Sequence, residues 1–154
     1  MDIAELIAPD AVILDVAAPD LRALTERAAT LIGARLGVAP RLIQRTLTER
    51  EALGSTGFGG GVAIPHGRVP GLERVTGTVL RLARPIDWRA IDDLPVTLAV
   101  VLLGPEDAGV EHLKALALVS RLLRNRSLVA RLKGAESAEA LWALLAGDVD
   151  KEAA

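Results

Sequence analysis

The 154-residue sequence contains no cysteine and no tyrosine, and it has only one phenylalanine and two tryptophans. Without cysteine there can be no disulfide, no thiolate-bound metal and no cysteine nucleophile. The scarcity of aromatic rings also argues against single-stranded nucleic acid as a ligand, because such sites stack bases on aromatic side chains. The core must therefore consist of Leu, Val, Ile and Ala.

Strong net charge and long apolar runs are missing as well. The formal net charge is −2 with the basic residues dispersed, so no nucleic-acid interface is predicted. The longest apolar run, 95–105, is too short to cross a bilayer, and the first ten residues carry acids where a signal peptide carries positive charge. We therefore expect a single globular domain in the cytoplasm, without membrane insertion.

Two helices are predicted in the first third of the chain. Apolar residues at three-to-four spacing form one stripe over 21–35, with Asp20 as N-cap and Gly37 as the stop. The second helix begins at Pro40, a residue suited to a first helical position, and ends at Gly54.

Three strands are predicted next, over 62–64, 75–82 and 95–103. The third is almost uniformly apolar, which indicates a central strand covered on both faces. Two helices follow, one beginning near Val110 and one capped by Ser137 and ending at Gly147. The first is expected to bury Leu113, Leu116, Ala117 and Leu123. The predicted fold is α/β (α+β), a single domain with a small mixed β-sheet flanked by helices.

The segment GSTGFGGG, residues 54–61, is rich in glycine, but it fits no nucleotide-binding motif. A P-loop ends in Gly-Lys-Ser/Thr, whereas here the chain continues Val-Ala-Ile. The dinucleotide fingerprint needs a strand before the glycines and a helix after them, and here that order is reversed. With two histidines and no cysteine, no metal site and no cofactor are expected. A pair of carboxylates for hydrolysis stays an alternative that no spacing marks out.

His66 stands between Pro65 and Gly67, directly after a predicted strand. One interpretation is a structural turn whose imidazole bonds to a backbone carbonyl. The other is a nucleophile, because an imidazole with a free pKa near ~6.5 is largely neutral at physiological pH. A phosphoryl group on the ring would need cations and N–H donors around it, and the glycines at 57–61 would let the backbone approach closely.

His112 is predicted in the first turn of the helix that follows PEDAG. A helix N-terminus favours anions and disfavours imidazolium, so His112 would be a neutral hydrogen-bond donor near a bound anion. The alternative is a surface residue beside Glu111.

Three segments, GSTGFGGGVAIPHGR, ARPIDWRAIDDLPVTLAVVLL and GPEDAGVEHLKALALVSRLL, together resemble the IIA components of the bacterial phosphotransferase system. The subgroup they resemble is the fructose/mannitol type, and within it the nitrogen-regulatory form. The likeness extends from about Leu6 to Gly147, so we expect a domain over 5–147 and a disordered tail over 148–154. It implies that the protein accepts a phosphoryl group from the phosphohistidine of an HPr-like or NPr-like carrier.

The resemblance also implies roles for individual residues. His66 matches the phosphoryl acceptor, His112 the second active-centre histidine, and Arg50 the arginine that assists the phosphate. The alternative for Arg50 is one more exposed charge on its helix. Thr56 and Gly61 are expected to contribute to phosphate binding.

One position departs from the family pattern, because Gly60 stands where the regulatory subgroup commonly has asparagine. Because Gly60 lacks the side-chain amide of that asparagine, the preference of the protein for one phosphoryl donor over another stays open. An apolar docking rim around His66 is expected from Phe58, Val62, Val69 and Leu72. Three functions remain: a regulatory phosphoryl carrier acting on target proteins, a sugar-uptake component passing phosphate to a IIB domain, and a binding module that is not phosphorylated.

Overall fold

A mixed sheet runs through the protein, whose computed structural model describes residues 1–153 and, of these, the side chains of 1–147. The helices are α1 (Ile3–Leu6), α2 (Leu21–Leu36), α3 (Pro40–Ala52), α4 (Gly109–Leu123), α5 (Arg126–Gly134) and α6 (Ala138–Ala153). The strands are β1 (Val12–Val16), β2 (Gly57–Gly59), β3 (Val62–Ala63), β4 (His66–Arg68), β5 (Thr76–Ile86) and β6 (Val96–Gly104).

The strand order is β1-β5-β6-β3-β2, and β4 also pairs with β6. Strand β5 is antiparallel to β6, whereas β3 and β4 both run parallel to β6. Val62 lies opposite Leu98, and His66 lies opposite Leu102. Strands β3 and β4 therefore follow one another along the same edge of β6, which carries the chain from one end of the sheet to the other.

Strand β6 is buried on both faces, as its apolar sequence predicted. Alternate side chains enter two separate cores, because successive residues of a strand point to opposite faces. Leu98, Val100 and Leu102 pack with α1, α4, α5 and α6. Ala99, Val101 and Leu103 pack with α2 and α3. The α/β fold with helices flanking a mixed sheet is thus confirmed.

Several helix boundaries also match the sequence. The Asp20 carboxylate accepts from the Ala23 N–H at 2.9 Å, and Gly37 ends α2 in the left-handed conformation with φ of 70°. Helix α3 begins at Pro40, and the Ser137 hydroxyl accepts from the Ala140 N–H at the start of α6.

Other elements differ from the prediction. Helix α1 and strand β1 did not stand out in the sequence, although Asp2 and Glu5 form a reciprocal capping box around α1. A separate helix, α5, begins after Asn125, whose side chain caps it. The backbone of α6 continues past Gly147 to Ala153, so the predicted stop there is wrong. The tail predicted to be disordered, 148–154, lies outside the residues whose side chains are described.

The predicted buried face of α4 is wrong at Leu113 and Ala117, whereas Leu123 is buried and Leu116 is partly buried, as expected. Leu113 is 67% exposed and Ala117 is exposed, whereas His112 is only 6% exposed. The buried side chains of α4 are His112, Ala115, Leu118, Val119, Leu122 and Leu123. Neighbouring side chains on a helix point about 100° apart. His112 is therefore buried while Leu113 beside it is exposed.

None of the helices within residues 1–153 is long and apolar enough to span a membrane.

Candidate active site at the end of β6

Helix α3 packs against β4 at Gly67. A side chain at this position would collide with the γ-methyl group of Thr46, so the close approach requires glycine. The Thr46 hydroxyl donates to the Arg68 carbonyl oxygen at 3.2 Å, which fixes the helix against the strand. Arg50 lies one turn further along α3 and on the same face as Thr46. The contact therefore brings Arg50 beside His66.

Both ring nitrogens of His66 have defined partners. Nδ1 lies 2.8 Å from the Ile64 carbonyl oxygen, and Nε2 accepts from the Arg50 Nε–H at 3.2 Å. A carbonyl oxygen can only accept and a guanidinium can only donate, so the proton is on Nδ1. Nε2 therefore carries the unprotonated lone pair of the ring, which accepts the hydrogen bond from Arg50.

Arg50 is held at both ends of its guanidinium. Besides contacting His66, it donates from Nη1 to the Gly54 carbonyl oxygen at 2.8 Å. This second bond ties Arg50 to the turn that follows α3. The side chain is therefore a positioned cation beside His66 Nε2, and the alternative of a freely exposed helix charge is not what the structure has.

His112, on the first turn of α4, lies next to His66. The ring centroids are 5.7 Å apart, and the ring planes are inclined at 50°. His112 Nδ1 is buried and has no hydrogen-bond partner among the described residues. The N-cap of α4 is Ala108, so no side chain satisfies the first N–H groups of this helix.

Burial favours the neutral form of both histidines. It lowers the pKa of His66 below its ordinary value, an effect that the bond to Ile64 opposes and the Arg50 charge reinforces. Burial also lowers the pKa of His112, assisted by His66 and by the Arg68 charge. A neutral His66 is the form that can use Nε2 in attack.

Arg68 is a site residue that the sequence analysis missed. It donates from Nη1 to the Glu106 carbonyl oxygen at 3.3 Å and lies beside Gly109 at the start of α4. The available signal was strand alternation, since a residue two positions after His66 points to the same side of β4. Arg68 thus supplies a second cation near the histidine pair.

Thr56 is close to this region, but its polar groups are occupied. Its N–H and hydroxyl donate to the two carboxylate oxygens of Glu51 at 2.7 and 2.6 Å. Its hydroxyl oxygen also accepts from the indole N–H of Trp88 at 3.1 Å. The structure therefore presents no free donor of Thr56 to a phosphoryl group.

The structure does not bring Gly61 or Gly60 to the histidines. Gly61 precedes β3, and Leu98 and Leu102, the β6 partners of Val62 and His66, are four positions and therefore about 13 Å apart. Two bonds to Gly60 hold the hairpin from β2 to β3 instead. Asp92 accepts from the Gly60 N–H and Lys133 donates to the Gly60 carbonyl oxygen, both at 2.8 Å. The expectation that these glycines make room at His66 is wrong.

The predicted docking rim is also largely wrong. Val62 and Val69 are buried, at 1% and 0% exposure. Phe58 and Leu72 are partly buried and pack against the two cores. The exposed large apolar residues closest in sequence to the site residues are Leu53, Val110 and Leu113.

Among the side chains of residues 1–147, no group of three or more His, Asp or Glu residues could hold a metal ion.

Comparison with known proteins gives a consistent result. The family described as "Phosphoenolpyruvate-dependent sugar phosphotransferase system, EIIA 2" matches residues 5–147. A nitrogen regulatory protein of Bradyrhizobium diazoefficiens is 40% identical over 95% of this chain and 95% of its own length. One from Pseudomonas aeruginosa is 37% identical over 92% of each. The crystal structure of nitrogen regulatory protein IIA-Ntr from Neisseria meningitidis superposes with a TM-score of 0.86 at 36% identity, covering 93% of this chain and 98% of that one.

Proposed function

The chain belongs to the EIIA type 2 family of the phosphoenolpyruvate-dependent phosphotransferase system, and we propose that it is a regulatory phosphoryl carrier phosphorylated on Nε2 of His66. The observation that carries the proposal is the arrangement of this ring. Its Nδ1–H is bonded to Ile64, so the lone pair is on Nε2, which faces Arg50, and the His112 ring lies next to the His66 ring.

The reaction is the transfer of a phosphoryl group between two imidazoles. Nε2 of His66 forms the new N–P bond while the N–P bond of the carrier's phosphohistidine breaks, and the carrier imidazole leaves with the electron pair. No proton has to move, because Nδ1 keeps its hydrogen. The His66 ring becomes more positive as the bond forms, and the bond to the Ile64 carbonyl oxygen stabilises that charge.

The surrounding cations hold the transferred group. Phosphoryl transfer depends on in-line placement and on stabilisation of the equatorial oxygens more than on covalent help from the protein. Arg50 releases Nε2 and turns its Nε–H to an oxygen, with Nη1 still anchored on Gly54. Arg68 and the N-terminus of α4 face the same place, and His112 donates to another oxygen from its ring.

The partners follow from this role. The donor is an HPr-like or NPr-like phosphocarrier, which docks over Leu53 on one side and Val110 and Leu113 on the other. The named relatives favour regulation of target proteins over sugar uptake, since both of the sequence relatives described above are called nitrogen regulatory proteins. We place this activity in the cytoplasm, where such carriers meet their partners.

The proposal is tested by incubating the protein with enzyme I, an HPr-type carrier and labelled phosphoenolpyruvate. The expected result is an acid-labile, base-stable label on wild type and no label on His66→Ala. Equal labelling of the two proteins would remove His66 as the acceptor. Addition of a fructose-type IIB domain and sugar then tests the sugar-uptake alternative, which rapid onward transfer would favour.

A further inference from the structure

Glu51 follows Arg50 on α3, and neither the family resemblance nor the proposed transfer uses it. Its carboxylate accepts two bonds from one residue, the N–H and the hydroxyl of Thr56, at 2.7 and 2.6 Å. A half-buried carboxylate with two such short bonds is a strong local constraint, because hydrogen bonds to a charged group are about twice as strong as neutral ones.

The bonds around Thr56 have only one possible direction. The Trp88 indole can only donate and the Glu51 carboxylate can only accept. The Thr56 hydroxyl therefore accepts a hydrogen bond from Trp88 and donates one to Glu51. Ser55, which precedes Thr56, donates from its hydroxyl to the Trp88 carbonyl oxygen at 2.6 Å. The turn after α3 is thereby fastened to the segment that follows β5.

Two short paths connect this network to the reacting groups. On one path, the Thr56 carbonyl oxygen accepts from the Ile64 N–H at 3.0 Å, and the Ile64 carbonyl oxygen accepts the Nδ1–H of His66. On the other, the turn that Glu51 closes contains Gly54, whose carbonyl oxygen anchors Arg50. One carboxylate therefore fixes both the nucleophile and its cation.

Resting on the proposed transfer to His66, the geometry points to Glu51 as a positioning residue of the site, acting through Thr56. Glu51 holds Ile64 where it selects the Nδ1–H tautomer of His66, and it holds Gly54 where it aims Arg50. Thr56 belongs to this support and does not contact the phosphoryl group, because both of its donors are taken by Glu51.

The test compares Glu51→Gln with Glu49→Gln, a matched change of charge on the same helix at an exposed residue. A glutamine has only one acceptor oxygen, so it keeps at most one of the two Thr56 bonds. Labelling kinetics are measured at several concentrations of the phosphocarrier. We expect kcat to fall by roughly ten- to a hundredfold in Glu51→Gln, because misplacing the reacting groups by about an ångström costs a rate factor of this size. KM for the carrier should be unchanged. Glu49→Gln should match wild type.

A second readout does not depend on activity. Imidazole ¹⁵N NMR reports the tautomer of His66 in the unphosphorylated protein, with melting temperatures recorded for every variant. Wild type and Glu49→Gln should show Nδ1–H alone, and Glu51→Gln should show a mixture of both tautomers. If wild type accepts no label at all, the proposed function fails, and the tautomer comparison still decides the role of Glu51.

Thr56→Val supplies an independent variant should Glu51→Gln not fold. It loses the hydroxyl, and with it the bonds to Glu51 and to the Trp88 indole, but it keeps the N–H bond to Glu51. We expect kcat to fall with KM for the carrier unchanged, and both tautomers of His66 to be present. Wild-type kcat and a single tautomer in Glu51→Gln would overturn the inference. A loss of kcat in Thr56→Val while His66 keeps the Nδ1–H tautomer alone would also overturn it, since that combination indicates direct contact of Thr56 with the phosphoryl group.

Discussion

The two ends of the segment from Gly60 to Arg68 are close in sequence, but the fold gives them different surroundings. At one end, a glycine hairpin is held by Asp92 and Lys133 at the edge of the sheet. At the other end, His66 meets Arg50 and His112. An extended chain separates residues only a few positions apart by more than 10 Å. Proximity in sequence to a reactive residue is therefore poor evidence of a shared site.

The sharpest test at the histidine end concerns Arg50. Arg50→Met keeps an unbranched apolar stem but removes the guanidinium that contacts His66 Nε2. Because loss of one preorganised donor typically costs 10²–10³-fold in rate, we expect labelling to slow by at least about a hundredfold. Arg45→Met, at an exposed position of the same helix, is the control and should label normally. Equal rates in the two variants would exclude Arg50 from the site.

Matched glycine substitutions compare the two ends directly. Gly67→Ala drives a methyl group into the γ-methyl of Thr46, so we expect a loss of about 1–3 kcal/mol in the free energy of unfolding and slower labelling. Gly60→Asn, at a left-handed position that asparagine tolerates, should leave labelling unchanged.

A second substitution, at Thr46, tests whether the clash with its γ-methyl group causes the effects of Gly67→Ala. Thr46→Ser removes the γ-methyl but retains the hydroxyl that bonds to Arg68, so it should restore stability and labelling to Gly67→Ala. Slow labelling in Gly60→Asn, or no rescue by Thr46→Ser, would contradict the separation of the two ends.

A smaller effect is expected from His112. His112→Ala removes one donor to the phosphoryl group while leaving the nucleophile and Arg50 in place, so labelling should slow roughly tenfold, about one hydrogen bond's worth. The rate at which the label appears on the protein would be measured under single-turnover conditions. Unchanged kinetics would exclude His112 from the transfer.

The pH dependence should be the mildest effect. Burial lowers the pKa of His66, so labelling should be constant near neutral pH and decline only below the ordinary histidine value of ~6.5. The free energy of unfolding should fall over the same acidic range, because the unfolded chain then binds protons that the buried histidines of the folded protein do not. A midpoint above the ordinary value in a pH–rate profile would contradict the neutral ring.

Much of this architecture was predictable from local signals. The caps at Asp20 and Ser137 and the proline at the start of α3 are short-range features, and the structure has all of them. The apolar run of β6 predicted its burial on both faces. Short, weakly patterned elements such as α1 and β1 were not recognisable, because tertiary packing decides whether they form.

The candidate site was predictable in part of its membership and not in its geometry. The positions of His66 and His112 in the sequence singled them out and the family resemblance added Arg50, but the face of α4 that is buried depends on how the helix lies on the sheet. The roles expected of Thr56 and Gly61 depended on distances that no pattern gives. Arg68 and Glu51 carry no distinctive spacing, and only their contacts in the folded chain single them out.

The central claim is that the fold offers one particular nitrogen of His66 to a phosphoryl donor. The direct test is NMR of the phosphorylated, ¹⁵N-histidine-labelled protein, in which coupling to phosphorus identifies the bonded nitrogen. The structure predicts a single phosphohistidine, on Nε2 of His66, with Nδ1 still protonated. Phosphorus on Nδ1 of His66, or on His112, would contradict it.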